Sequence, residues 1–147
     1  MHCIDGAYGG DMYKVIIFII FLTSNSVYAD YELLRKQQNS CGDFSNYRQI
    51  YGCNLKLYEK ADSLMNKEYQ ELVTYLSGEN KDNLINAQRK WITFRDADCL
   101  FSDPRNDEHI IASANKSACL ADRTLDRLKQ IEWYNRGWNK GCNGCPW

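Results

Sequence analysis

No apolar run in this chain is long enough to cross a membrane, no stretch alternates as a strand does, and histidine is almost missing. The longest unbroken apolar run, residues 15–22, has 8 residues, whereas a spanning helix needs about 20. Neither an internal repeat nor a low-complexity tract is present. Of 2 histidines, His2 lies at the extreme N-terminus, which leaves His109 alone for the body of the chain. An acyl-transfer triad needs a histidine base among suitably placed partners, so hydrolase chemistry of that kind is poorly supplied. Excess positive charge is also lacking. The chain carries 18 basic and 19 acidic residues for a net charge of −1, and a nucleic-acid binder would show a basic stripe.

What is present begins with a leader. Lys14 precedes the apolar run, and Thr23, Ser24, Asn25, Ser26, Val27, Tyr28 and Ala29 follow it. A basic start, an apolar centre and a small-residue end with Val27 and Ala29 at the processing positions read as a signal peptide over residues 1–29. Cleavage after Ala29 is expected, and an uncleaved anchor is the alternative, against which the short run argues. Asp5 and Asp11 fit badly in a basic opening, and Met12-Tyr13-Lys14 makes a normal one, so residues 1–11 read as an over-extended start or as part of the discarded leader. No cysteine follows the run closely enough for lipid attachment. Stable membrane insertion after cleavage is not expected.

Seven cysteines become six once Cys3 leaves with the leader: Cys41, Cys53, Cys99, Cys119, Cys142 and Cys145. An even set in a small exported chain reads as a disulfide framework. Removing Lys14, Asp5 and Asp11 also balances the two signs of charge. Export to the periplasm or beyond is the compartment this composition suits.

Along the remainder, residues 30–45 look polar and irregular. Tyr58, Ala61, Met65, Tyr69, Leu72 and Leu76 recur at three- and four-residue steps, predicting a helix over residues 54–77 that Gly78 stops as its C′ residue. Asp82 or Asn83 reads as the N-cap of a second helix reaching about residue 102, closed by Pro104. Its inward stripe would be Leu84, Ala87 or Gln88, Trp91, Arg95 and Cys99, with Ile92 and Phe94 widening the arc. A third helix is expected over residues 108–133, with Ile111, Ala114, Ala118, Ala121, Leu125, Leu128 and Ile131 on one side. Gly137 opens a glycine- and cysteine-rich tail, residues 137–147. The fold class that follows is all-α: a small disulfide-stapled bundle of about three helices with antiparallel neighbours, occupying residues 30–136. Such a chain can bury only a thin core, to which each covalent staple adds about 2–4 kcal/mol.

The second helix is the most informative segment. From Ala87 to Cys99 it carries Gln88, Arg89, Trp91, the Arg95-Asp96 pair and a terminal cysteine, more than a merely structural helix needs. Three segments, in order, carry a likeness. The first runs from Cys53-Asn54-Leu55 through Tyr58, Ala61-Asp62, Leu64, Asn66 and Tyr69. The second is Ala87-Gln88-Arg89 with Trp91, Arg95-Asp96 and Cys99, and the third is Cys119-Leu120 with Thr124, Arg127 and Ile131. In these the chain resembles the LprI-like lysozyme inhibitor family of bacterial exported proteins. The resemblance covers about residues 41–131 and implies a protein-binding role, inhibition of lysozyme-type muramidases. It does not reach the Cys142-x-x-Cys145 tail. A periplasmic structural or envelope-stress protein without lysozyme contact is the alternative.

Weighed physically, Asp62, Gln88, Arg95, Asp96, Thr124 and Arg127 can meet as one polar network among three helices. Arg95 is a planar five-donor cation suited to a carboxylate such as Asp62. Two readings stand: a clamp that sets helix register, or a partner-binding surface. Cys99 with Cys119, and Cys41 with Cys53, are natural pairs if their Cα atoms come within about 7 Å. Cys142 and Cys145 read as a small terminal disulfide loop, since a zinc site wants four protein ligands and only His109 is left to join them. No cofactor or metal is expected. A carboxylate-pair glycosidase is formally open, yet acids on a small bundle are usually solvated, and the chain is not expected to be an enzyme. From Asp96 to Glu108 stand Asp96, Asp98, Asp103, Asp107 and Glu108 against Arg105 alone. Most such clusters are solvated faces. If this one binds, its acids suit a cationic surface, while Arg105 or His109 suits an acidic cleft. Asp103, Arg105, Asp107, Glu108 and His109 are thus the candidate contact residues.

Overall fold

In a computed structural model, residues 26–103, 105 and 109–140 are described. They form four helices, α1 (Ser26–Cys41), α2 (Tyr47–Tyr75), α3 (Gly78–Ser102) and α4 (Ile110–Lys140), and no strand occurs among them. The readings placed on residues 1–25, Pro104, Asp107, Glu108, Cys142 and Cys145 lie outside the described residues. None of the described helices is long and apolar enough to cross a membrane.

The largest departure from expectation is α1, which occupies a stretch read as irregular. Tyr31, Leu34 and Cys41 are buried and recur at helical steps, but three apolar positions make too narrow a stripe to stand out in a polar sequence. Tertiary contacts supply the rest. Arg35 bonds Asp122 at 2.6 Å and also reaches Asp126 on α4. At the other end of α1, Cys41 is disulfide-bonded to Cys53 with Cα atoms 5.7 Å apart. The helix runs across the position where leader cleavage is expected.

Helix α2 starts well before residue 54, because Asn46 caps it: its Oδ1 accepts from the Arg48 backbone N–H at 2.8 Å, satisfying a donor that the first turn leaves without a partner. Gly78 does adopt the positive φ, +54°, that favours glycine. It is not a C′ residue before a loop, however. Only Leu76 and Ser77 separate α2 from α3, so the second helix begins before Asp82 and Asn83, with Glu79 in its first turn, where a negative charge suits the helix dipole. Helix α4 passes through Gly137, correcting the expectation that regular structure ends there. One helical glycine costs about 1 kcal/mol, and Gly137 is buried.

Core contacts fix the directions. Leu57 and Ala61 of α2 share a cluster with Ala121 and Leu125 of α4, and farther along Met65, Leu72 and Leu76 share one with Leu128 and Ile131. Pairing advances the same way on both helices, so α2 and α4 run parallel at the centre. Buried Ala61, Ala114 and Ala121 keep their contact surfaces thin, which favours close axes. Helices α1 and α3 run the other way. Tyr31 and Leu34 join the first cluster, while Leu84 and Trp91 lie against the second. Consecutive helices are therefore antiparallel, but the central pair is not consecutive.

Helix α3 is held differently from the others. Its buried residues are Gln88, Arg95 and Cys99, none of them aliphatic, while Ala87 faces out. Ile92 is 38% and Phe94 59% exposed, so neither widens its inner arc.

Candidate functional site

Asp62 on α2, Gln88, Arg95 and Asp96 on α3, and Thr124 and Arg127 on α4 lie together around Trp91. Arg95 Nη1 donates to Asp62 Oδ1 at 3.3 Å and to Thr124 Oγ1 at 3.5 Å, and its Nε donates to Asp96 Oδ1 at 2.9 Å. The same guanidinium lies over two rings, 5.2 Å from Trp91 and 5.4 Å from Tyr58. Arg127 sits 5.6 Å from the Trp91 ring and donates from Nε to Gln88 Oε1 at 2.9 Å. Gln88 then turns its amide toward Met65 Sδ at 3.7 Å. Trp91 is thus shared by two cations, each of which a ring face attracts.

Charge is graded across this cluster. Arg95 and Arg127 are buried and Thr124 is fully so, whereas the side chain of Asp62 is 32% and that of Asp96 57% exposed. Burial pushes the Arg127 guanidinium below its ordinary pKa, and burial lifts the Tyr58 phenol against the opposing pull of Arg95. Among its charged members, the carboxylates are the ones that meet solvent. The arrangement ties three helices together.

Just after α3, Asp103 is buried. Its side chain, 3% exposed, takes the Arg105 guanidinium on both oxygens and accepts from Asn115 Nδ2 at 2.7 Å. The Arg105 bond, then Asn115, hold the Asp103 carboxyl well below the usual carboxylate range. His109 is exposed, and its carbonyl accepts from Ser113 N–H at 3.1 Å, opening α4. Asp103 and Arg105 are therefore occupied with each other.

Cys99 is bonded to Cys119 with Cα atoms 5.5 Å apart. Asp98, Cys99 and Cys119 converge within 4.8 Å, but sulfurs joined in a disulfide offer no thiolate to a metal, and Asp98 already accepts from Arg123 at 2.8 Å.

One polar cluster was missed by sequence reasoning. Asn135 on α4 donates from Nδ2 to the carbonyl and to Oε2 of Glu68 on α2, both at 2.9 Å. Glu132 lies one turn earlier, 3.6 Å from Arg136. Glu132 Oε2 and Asn135 Oδ1 are buried without a hydrogen-bond partner, and burial pushes the Glu132 carboxyl up, partly countered by Arg136. The signal was positional: residue 68 continues the spacing of buried 61, 65 and 72, and 135 continues that of 128 and 131.

Comparison with known proteins adds one match. A family model described as Lysozyme inhibitor LprI matches residues 41–131. No curated protein matches, and no solved structure does.

Proposed function

Because the chain belongs to the LprI lysozyme inhibitor family, we propose that it is an exported protein-binding module that inhibits lysozyme-type muramidases. The match over residues 41–131 carries this reading. Its span takes in the polar clamp and both disulfides, Cys41–Cys53 and Cys99–Cys119. Disulfides persist in oxidising compartments, which supports export after removal of residues 1–29, and muramidases that attack the cell wall act there. Binding rather than catalysis suits the chemistry on view, since the buried cations are engaged with carboxylates, amides and rings.

The test is turbidimetric. Purified mature protein with its disulfides intact is added to a lysozyme acting on a cell-wall suspension at neutral pH. Micromolar protein slows lysis in proportion to the complex formed. Undiminished lysis at micromolar excess overturns the reading and leaves the family scaffold with an envelope role that needs no lysozyme contact.

A further inference from the structure

The contact surface can be located more closely than the acidic segment after α3 allows. Asp103 is nearly inaccessible, and Arg105, though half exposed, is paired with it, so the Asp103 carboxylate has little left to offer a partner. The other connection at the same end of the bundle is different. Every residue from 42 to 49 is exposed, an unbroken run covering the α1–α2 turn and the first turn of α2. This exposed strip, the ridge, lies at the same end of the bundle as the start of α4. The ridge carries Phe44, 43% exposed, and Tyr47, 47% exposed, with Arg48 beside them. No ion pair engages the Arg48 guanidinium among the described residues. On the flank of the ridge is an open concavity of about 410 Å³ lined by Ser45, Asn46, Tyr47, Arg48 and Ile110.

Three physical features make this ridge suited to insertion. First, Cys41–Cys53 closes a loop with a sequence separation of 12 that contains the whole exposed run, and an element rigid before binding loses less entropy on binding. Second, α2 and α4 are parallel, so their N-termini lie at the same end. Tyr47 begins one and Ile110 the other, and both border the concavity. The partial positive charge of each helix start adds to that of Arg48. Third, exposed tyrosine, phenylalanine and arginine side by side are the residue types that anchor protein interfaces.

We infer that the Cys41–Cys53 ridge, with Phe44, Tyr47 and Arg48, is the element that enters the carboxylate-lined substrate cleft of a lysozyme-type muramidase. This rests on the inhibitory function proposed above. Charge complementarity selects the occupant: glycosidases of this kind hold a pair of carboxyl groups in the cleft, and Arg48 presents a planar fork suited to a carboxylate. Asp43, on the same exposed run, lies at the border, where a muramidase that is basic outside its cleft would meet it. The concavity beside the ridge receives the lip of the cleft.

The experiment uses the mature, oxidised protein and egg-white lysozyme in the lysis assay, with variants Arg48→Glu, Tyr47→Ser and, on the outer face of α3, Phe94→Ser. All three positions are exposed, and melting curves confirm that each variant is folded. Arg48→Glu and Tyr47→Ser each raise the half-inhibitory concentration by roughly thirtyfold or more, the loss expected at an anchor residue, while Phe94→Ser leaves it unchanged. If the unaltered protein inhibits and both ridge variants inhibit equally well, the ridge is overturned and the inhibitory function stands. If Phe94→Ser alone loses potency, the surface lies on α3 instead. If the unaltered protein does not inhibit at all, both readings fall together.

Discussion

Replacing Arg95 by alanine should detach α3 more effectively than removing any aliphatic side chain of that helix. Arg95 reaches Asp62 and Thr124 on two other helices and lies over the rings of Trp91 and Tyr58. Asp62 and Asp96 are partly exposed and rehydrate when the cation leaves, so the ion pairs themselves account for about 0–1 kcal/mol. Two cation–π contacts in a mostly dry setting add about 1–2 kcal/mol. The lost methylenes of a buried stem add about 2 kcal/mol, and removing a buried charge returns part of the total. The net cost is about 3 kcal/mol, or roughly 10 °C in melting temperature for a domain of this size. Chemical denaturation followed by circular dichroism measures it, with the slope checking that the two-state treatment holds. Arg95→Met, which keeps a long stem, separates packing from charge by losing less than alanine does. Arg95→Lys should not recover the alanine loss in full, because an ammonium has no planar fork to spread between Asp62 and Asp96. A cost below about 1 kcal/mol for Arg95→Ala would show that α3 is held by something other than this clamp.

Removing the second staple with Cys99→Ser and Cys119→Ser together should cost about 3 kcal/mol, from closure of a loop with a sequence separation of 20; a reducing agent should lower the melting point of the unaltered protein and leave it fixed in a variant lacking all the cysteines of the mature chain. At Glu132 the folded-state pKa is raised by burial. The folded protein therefore holds this proton to higher pH than the unfolded chain does, and the associated stability is complete below the ordinary glutamate range near ~4.3 and lost as pH rises through the raised value. Glu132→Gln should thus stabilise the protein at neutral pH and do progressively less in acid; equal effects at both pH values would show that Glu132 is not paying a burial cost.

The helix types and most inward stripes were legible because periodicity survives in a single sequence. Ala61, Met65 and Leu72 on α2, and Ala121, Leu125, Leu128 and Ile131 on α4, are buried at the positions their spacing marks. Helix α1 was not legible, since Tyr31 and Leu34 find their packing on α2 and α4 and its stabilising partners lie far away in sequence. On α3 the inward places of Gln88, Arg95 and Cys99 were legible from spacing, and apolar content misled at Ile92 and Phe94, which face solvent. The same error hid Glu68, Glu132 and Asn135, polar residues on buried stripes. The parallel pairing of α2 and α4 cannot be read from periodicity either, because it depends on which non-consecutive helices meet.

Several of the residues that carry the family resemblance are packed inside the bundle. Asn54, Gln88, Arg95, Cys99, Thr124, Arg127 and Ile131 are buried, and Cys53 and Cys119 close the two staples. Burial leaves such residues able to fix which helices meet and in what register, while a partner can touch only what is exposed. If inhibition is the function, its energetics must lie on side chains outside this set, and two scaffold features then bear on the ridge. The clamp at Arg95 holds α3 against the central pair, and Asp103 at the end of α3 accepts from Asn115 of α4, whose first residue borders the concavity. Weakening the clamp should therefore lower stability strongly and potency only in proportion to the unfolded fraction. A variant of Arg48 should do the reverse. Measuring melting temperature and half-inhibitory concentration on both variants separates the two roles, and a folded Arg95 variant that has lost all potency would place the contact surface at the clamp.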